Sequence, residues 1–190
     1  NLSREVFLLL FLEQVLENHR NSYFHLFLKH KFTQLTSLNS IKIMFSKAEA
    51  QQIKKEFWIA FAQEYPRKWL LYDTKIKDFS FKFYVDNKKV QVAIEIEPKD
   101  EENRKIYFEK IESLKNILED DFVKDLIFER NHHLESGKII SRIWIEKDQV
   151  SVFNKNSWPI IFDFFYENMH ALEMFFHEYR DYIEDLEINT

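Results

Sequence analysis

The stretch Ala93-Ile94-Glu95-Ile96-Glu97-Pro98-Lys99-Asp100 places two carboxylates two residues apart, with a lysine following, at the end of a run of alternating apolar residues. Side chains alternate across a strand, so Glu95 and Glu97 project from one face. Paired carboxylates can hold a hard divalent cation through oxygen, and a lysine beside such an ion can position or activate a water. That chemistry is metal-assisted hydrolysis. The plainer chemistry is the solvated, ion-paired face of a half-buried hairpin, with Lys82 diagonal to Glu95. The plainer reading comes first, because acid-x-Lys recurs by chance in charged chains and Pro98 interrupts ladder pairing at this very point.

A hairpin must position these groups. Phe79, Phe81, Phe83 and Val85 alternate with Ser80, Lys82 and Tyr84, and Val90, Val92, Ile94 and Ile96 alternate with Gln91, Ala93, Glu95 and Glu97. A two-residue turn at Asn87-Lys88 sets Phe83 opposite Val92, Phe81 opposite Ile94 and Phe79 opposite Ile96. A slip of one residue would break all three apolar pairs together. The same register puts Asp78 opposite Glu97. In this respect the hairpin resembles the metal-dependent PD-(D/E)xK nucleases. The resemblance implies Asp78, Glu97 and Lys99 as catalytic residues, Asp78, Glu95 and Glu97 as metal ligands, and Mg²⁺ or Mn²⁺ as cofactor.

Other residues invite chemistry less strongly. Lys54, Lys55, Arg67 and Lys68 are interleaved with Trp58, Trp69 and Tyr72, which would suit phosphate contacts with base stacking. Lys54, Lys55, Arg67, Lys68 and Trp69 are thus candidate nucleic-acid contacts, diluted by Glu56, Glu64 and Asp73. The adjacent His132 and His133 read as part of a polar loop, since neighbours on an extended chain point apart and make no ready chelate. His170 and His177 share one side of a helix, with nothing nearby to complete a ligand set. Arg142 and Glu146 fall on the face of Ile140 and Trp144, where an arginine most often makes an ion pair or a stacking contact.

The elements read as follows. Ser46-x-x-Glu49 is a capping box that opens a helix over 47–64, ended by Pro66. After the hairpin comes a helix over about 100–119, then strands at 126–130 and 138–147 joined through Asn131–Gly137, with a short strand near 149–153. Pro159 opens a long helix reaching about Leu186. Its residues Phe162, Phe165, Met169, Leu172, Phe176, Tyr179, Ile183 and Leu186 are spaced alternately three and four apart. Such a stripe fits its own sheet, and its far end invites a homodimer through residues 159–186. The order α-β-β-α-β-β-α predicts an α+β fold, an antiparallel sheet of four or five strands covered by helices.

Composition narrows the classes. There is no cysteine, so disulfides, thiol catalysis and Cys-ligated zinc are excluded, and a single glycine rules out a glycine-rich phosphate loop. A net charge of −5 gives no reason for the whole surface to bind nucleic acid or membrane. Val6–Leu12 is apolar but too short to span a bilayer. A cytoplasmic address fits these features.

Residues 1–43 differ in composition from the rest, and Met44 stands two residues before the first helix cap. The expected division is therefore an N-terminal extension at 1–43, not part of the native protein, and a single domain at 44–190; the alternative is a genuine helical arm over Val6–Leu16. The segments KEFWIAF, PRKWLLY, DFSFKF, SGKIISRIWIE, NKNSW and FFYENM resemble a bacterial domain-of-unknown-function family from Met44 to about Ile183. That family comprises small stand-alone proteins and the C-terminal part of chains beginning with a nuclease-like domain. The resemblance implies a domain boundary and an association with DNA processing or defence. The expectation is a non-catalytic interaction domain with a protein or nucleic-acid partner; the alternative is a divalent-metal nuclease.

Overall fold

A computed structural model describes residues 46–185. The chain divides into two units between Phe45 and Ser46, and the described residues belong to the second. The expected extension at 1–43, its helical arm and Leu186 lie outside the described residues.

Helix α1 (Lys47–Glu64) opens on the capping box. Ser46 Oγ accepts the Glu49 N–H at 3.2 Å, and Glu49 Oε2 accepts the Ser46 N–H at 2.7 Å. The chain then runs through a long loop to strand β1 (Phe79–Val85) and strand β2 (Lys89–Ile96). Asp86 Oδ1 accepts the Lys88 and Lys89 N–H groups and so closes the turn between them. The pairings Phe79↔Ile96, Phe81↔Ile94 and Phe83↔Val92 are those the alternation demanded. Helix α2 (Glu101–Ser113), strands β3 (Ile127–His133) and β4 (Ile139–Asp148), and helix α3 (Trp158–Glu184) complete an α+β domain. The antiparallel sheet has the order β1-β2-β4-β3.

Helices α1, α2 and α3 lie on one face of this sheet. Phe57 and Phe61 of α1, Phe108 and Ile111 of α2, and Phe165, Met169, Leu172 and Phe176 of α3 form one core with Phe81, Val92, Ile94 and Ile143. Each fully buried side chain of this size contributes about 2 kcal/mol relative to exposure. The three-four stripe of α3 is spent here. Ile183, at the end from which pairing with a second copy was expected, is fully buried too.

Three expectations are corrected. The second helix does not run unbroken to 119. It stops at Ser113 and continues as one turn (Lys115–Ile117) and a π-helical turn (Leu118–Phe122), which lets both Leu118 and Val123 face the core. Asn131–His133 belong to β3, not to a loop. A bulge between Glu129 and His132 turns the Arg130 carbonyl toward Arg104, whose Nη1 donates to it at 2.7 Å and to Ser141 Oγ at 3.0 Å. Residues 149–153 form no strand. Val150 and Val152 tie this tail to the β1–β2 turn through Lys88 O and Asp86 O.

Candidate functional site

The face of the sheet away from these helices carries Lys82, Glu95 and Glu97. Lys82 Nζ lies 2.5 Å from Glu95 Oε2 and 2.7 Å from Glu97 Oε1. Lys138 reaches the other Glu97 oxygen at 2.5 Å, and Arg142 Nε lies 3.2 Å from Glu95 Oε1. Arg142 also donates to Gln91 at 3.1 Å and stacks over Trp144 at 5.3 Å, so both roles foreseen for it are realised. Its Nε–H points off the Glu95 oxygen and makes no hydrogen bond; that contact is coulombic only. Farther along the face, Glu146 Oε2 accepts from Lys89, Gln91 and Trp144.

The electrostatics follow the geometry. Burial acts to raise the Glu97 carboxyl, but hydrogen bonds from Lys138 and Lys82 outweigh it and hold the group below its ordinary range. Burial acts to lower Lys82, and its bonds to Glu95 and Glu97 raise it instead. Glu146 is held down by Lys89 and Gln91. Two carboxylates shared among three cations form a neutralised cluster, not a pair of free anions.

The residues of the metal reading are not brought together. The Asp78 carbonyl does accept the Glu97 N–H at 2.7 Å, as the register requires. Asp78, however, has a left-handed backbone (φ +59°), and Pro98 carries the chain off the ladder. As a result Asp78 and Lys99 line a separate depression with Lys77, Asp100, Asn103 and Tyr107, while the Glu97 carboxylate points to Lys82 and Lys138. Among the described residues no group of three His, Asp or Glu gathers to hold a metal ion. His132 bonds Glu129 at 2.6 Å and lies against Trp144. His170 contacts Arg67 and Tyr166, and His177 lies against Phe176.

The second constellation converges. A cleft of about 500 Å³ opens between α1, the 65–78 loop and β1, lined among others by Trp58, Phe61, Tyr65, Arg67, Trp69, Tyr72 and Phe83. Trp58 stacks on Phe165 at 5.9 Å yet stays 38% exposed, and Tyr72 is 73% exposed on the rim. Trp69 stacks on Phe61 at 5.7 Å, and the Arg67 guanidinium sits 4.3 Å from its ring centre. A hydrogen bond to Asp163 pushes the Tyr65 hydroxyl up to about 12.

The loop wall is built rather than draped. Glu173, buried on α3, accepts the Leu70 N–H at 2.6 Å and pairs with Arg67. Thr74, fully buried, donates to Phe79 O at 2.8 Å, and the Phe81 N–H donates to Leu71 O at 2.9 Å. These bonds hold Leu71, Lys75 and Asp78 in left-handed conformations that side chains rarely adopt. Glu173 and Thr74 were missed by sequence reasoning. The only signal was a glutamate directly beside a buried position of the α3 stripe.

Two of the four cations proposed for nucleic acid are committed elsewhere. Arg67 pairs with Glu173, Lys68 with Asp73 at 3.1 Å, and Lys75 with Asp73 as well. Lys54 and Lys55 are exposed on α1, one turn before Trp58. The wall of the cleft is therefore aromatic first and cationic second.

A family model described as a domain of unknown function, DUF4268, matches residues 53–180. The chain belongs to this family. The DUF4268 segment begins within α1 and ends within α3, so it takes in the whole sheet, the loop and both walls of the cleft. No curated protein and no solved structure matches the chain.

Proposed function

We propose that this DUF4268 domain is a non-catalytic interaction domain whose binding surface is the aromatic cleft. The observation that carries the reading is the contrast between two sites. The carboxylates of the sheet face are already neutralised by their neighbours, whereas Trp58 and Tyr72 present exposed aromatic surface over a formed cavity. Large aromatic side chains at a concave site are the usual anchors of recognition. No helix among the described residues is long and apolar enough to cross a membrane. We place the domain in the cytoplasm as an accessory to DNA-processing or defence proteins, a setting implied by its resemblance to chains that begin with nuclease-like domains. A homodimer through residues 159–186 would use the outer side of α3, at Ile160 and Met174, because the stripe first considered lies in the core.

The full chain, incubated with plasmid, linear and single-stranded DNA and with Mg²⁺ or Mn²⁺, is expected to cut none of them. Metal-dependent cutting by the parent but not by Glu97→Ala would overturn the reading in favour of a nuclease using Asp78, Glu97 and Lys99. In parallel, any ligand of the parent should bind Trp58→Ala and Tyr72→Ala at least about tenfold more weakly. Equal binding by both variants would move the surface elsewhere.

A further inference from the structure

Strand β1 is an edge strand, and its two halves are treated differently. Glu97 N–H donates to Asp78 O, and Asp86 N–H donates to Lys89 O. In the antiparallel alternation, Ser80, Lys82 and Tyr84 therefore bond to β2, while Phe79, Phe81, Phe83 and Val85 turn their backbone groups outward. The loop covers the first of these: Thr74 caps Phe79 O, and Leu71 O takes the Phe81 N–H. Beyond that point the Phe81 carbonyl, both Phe83 groups and the Val85 N–H have no partner among the described residues. The open stretch carries none of the bulges or prolines that blunt an edge, whereas the other edge, β3, is bulged.

The aromatic cleft lies directly beside this open stretch. Phe83 is 6.2 Å from Trp58 and 5.3 Å from Trp69, ring centre to ring centre. A strand added here would drop every second side chain toward Trp58 and Trp69 and leave the intervening ones beside exposed Tyr84. Lys54 and Lys55, four and three residues before Trp58 and on the same side of α1, are exposed cations with no ion-pair partner among the described residues.

We propose that Phe81–Val85 is a strand-addition site that takes an extended, acidic peptide segment of a partner protein, with alternate apolar side chains seated in the aromatic cleft. The inference rests on the cleft being the binding surface and adds the partner's chemistry: free backbone donors and acceptors, bulky apolar residues at every second position, and neighbouring Asp or Glu.

The test is selection of a displayed library of random peptides against the full chain, followed by synthesis of the best binder. Recovered sequences should alternate apolar and polar residues and be rich in Asp and Glu. Binding should slow hydrogen exchange at the Phe83 and Val85 amides. N-methylation of the peptide amides in one alternating register should weaken binding about tenfold or more, while the other register leaves it unchanged. Lys54→Glu with Lys55→Glu should weaken binding about tenfold at low salt, and the gap should narrow as salt rises.

If binding falls in Trp58→Ala and Tyr72→Ala but ignores N-methylation in both registers, the cleft reading stands and strand addition is wrong. If Phe83 becomes protected by dimerisation without any peptide, the occupant is a second copy and the peptide proposal fails. If no peptide is recovered, or single-stranded nucleic acid alone binds, the inference falls. Whether the two cleft variants still change that binding then decides the cleft reading separately.

Discussion

Glu95 and Glu97 look interchangeable in the sequence and differ in place. The Glu95 side chain is 7% exposed between Lys82 and Arg142, so Glu95→Ala should cost about 3 kcal/mol in urea unfolding, by leaving two cations in a half-dry site. Glu97 is 22% exposed, and Glu97→Gln should cost about 1 kcal/mol at neutral pH. The sign of its pH dependence follows from the lowered carboxyl. The ion pairs stabilise the fold above the ordinary glutamate value of 4.5, and that stabilisation is lost as pH falls through the lower folded value. Below that range parent and Glu97→Gln should converge. A constant gap down to strong acid would mean that Glu97 acts through packing instead. The raised Lys82 works at the other end, contributing fully below 10.5 and fading as pH climbs past its folded value.

Among elements, the 65–78 loop depends most on another part of the chain. Its hold on α3 is the buried Glu173, which takes both the Leu70 N–H and Arg67. Glu173→Ala should destabilise the domain by about 2–3 kcal/mol and loosen the loop before the fold. The measurement is limited trypsin digestion under native conditions, where cleavage after Arg67 and Lys68 should accelerate in the variant. Unchanged cleavage would show that Thr74 and the Leu71–Phe81 bond suffice to hold the wall. The β1–β2 hairpin needs no such outside help. Its period of two, its turn and its apolar pairs agree locally, and it was therefore readable in register before any contact was seen.

At the scale of the molecule, α3 decides between a core and an interface. Phe165 and Met169 are fully buried against α1 and the sheet. Phe165→Ala should therefore lower stability by about 3–5 kcal/mol without altering the sedimentation of the fraction still folded. A change in assembly at unchanged stability would instead place the stripe at an interface between copies.

The sequence by itself determined the order of elements, the hairpin register, the α1 cap and the α+β class, because these rest on periodicity, turn chemistry and local sterics. It also placed Glu95, Glu97 and Lys82 on one face. Tertiary structure decided the rest. Lys138 and Arg142 reached the two glutamates only once β4 paired with β2. Asp78 and Lys99 parted from Glu97 because a left-handed residue and a proline turn the backbone there. Trp58, Trp69 and Tyr72 became one cleft only when α3 supplied Glu173 to anchor the loop. The Glu173 contacts join residues more than a hundred positions apart, and Lys138 reaches Glu97 across 41, so no local pattern encodes these partners.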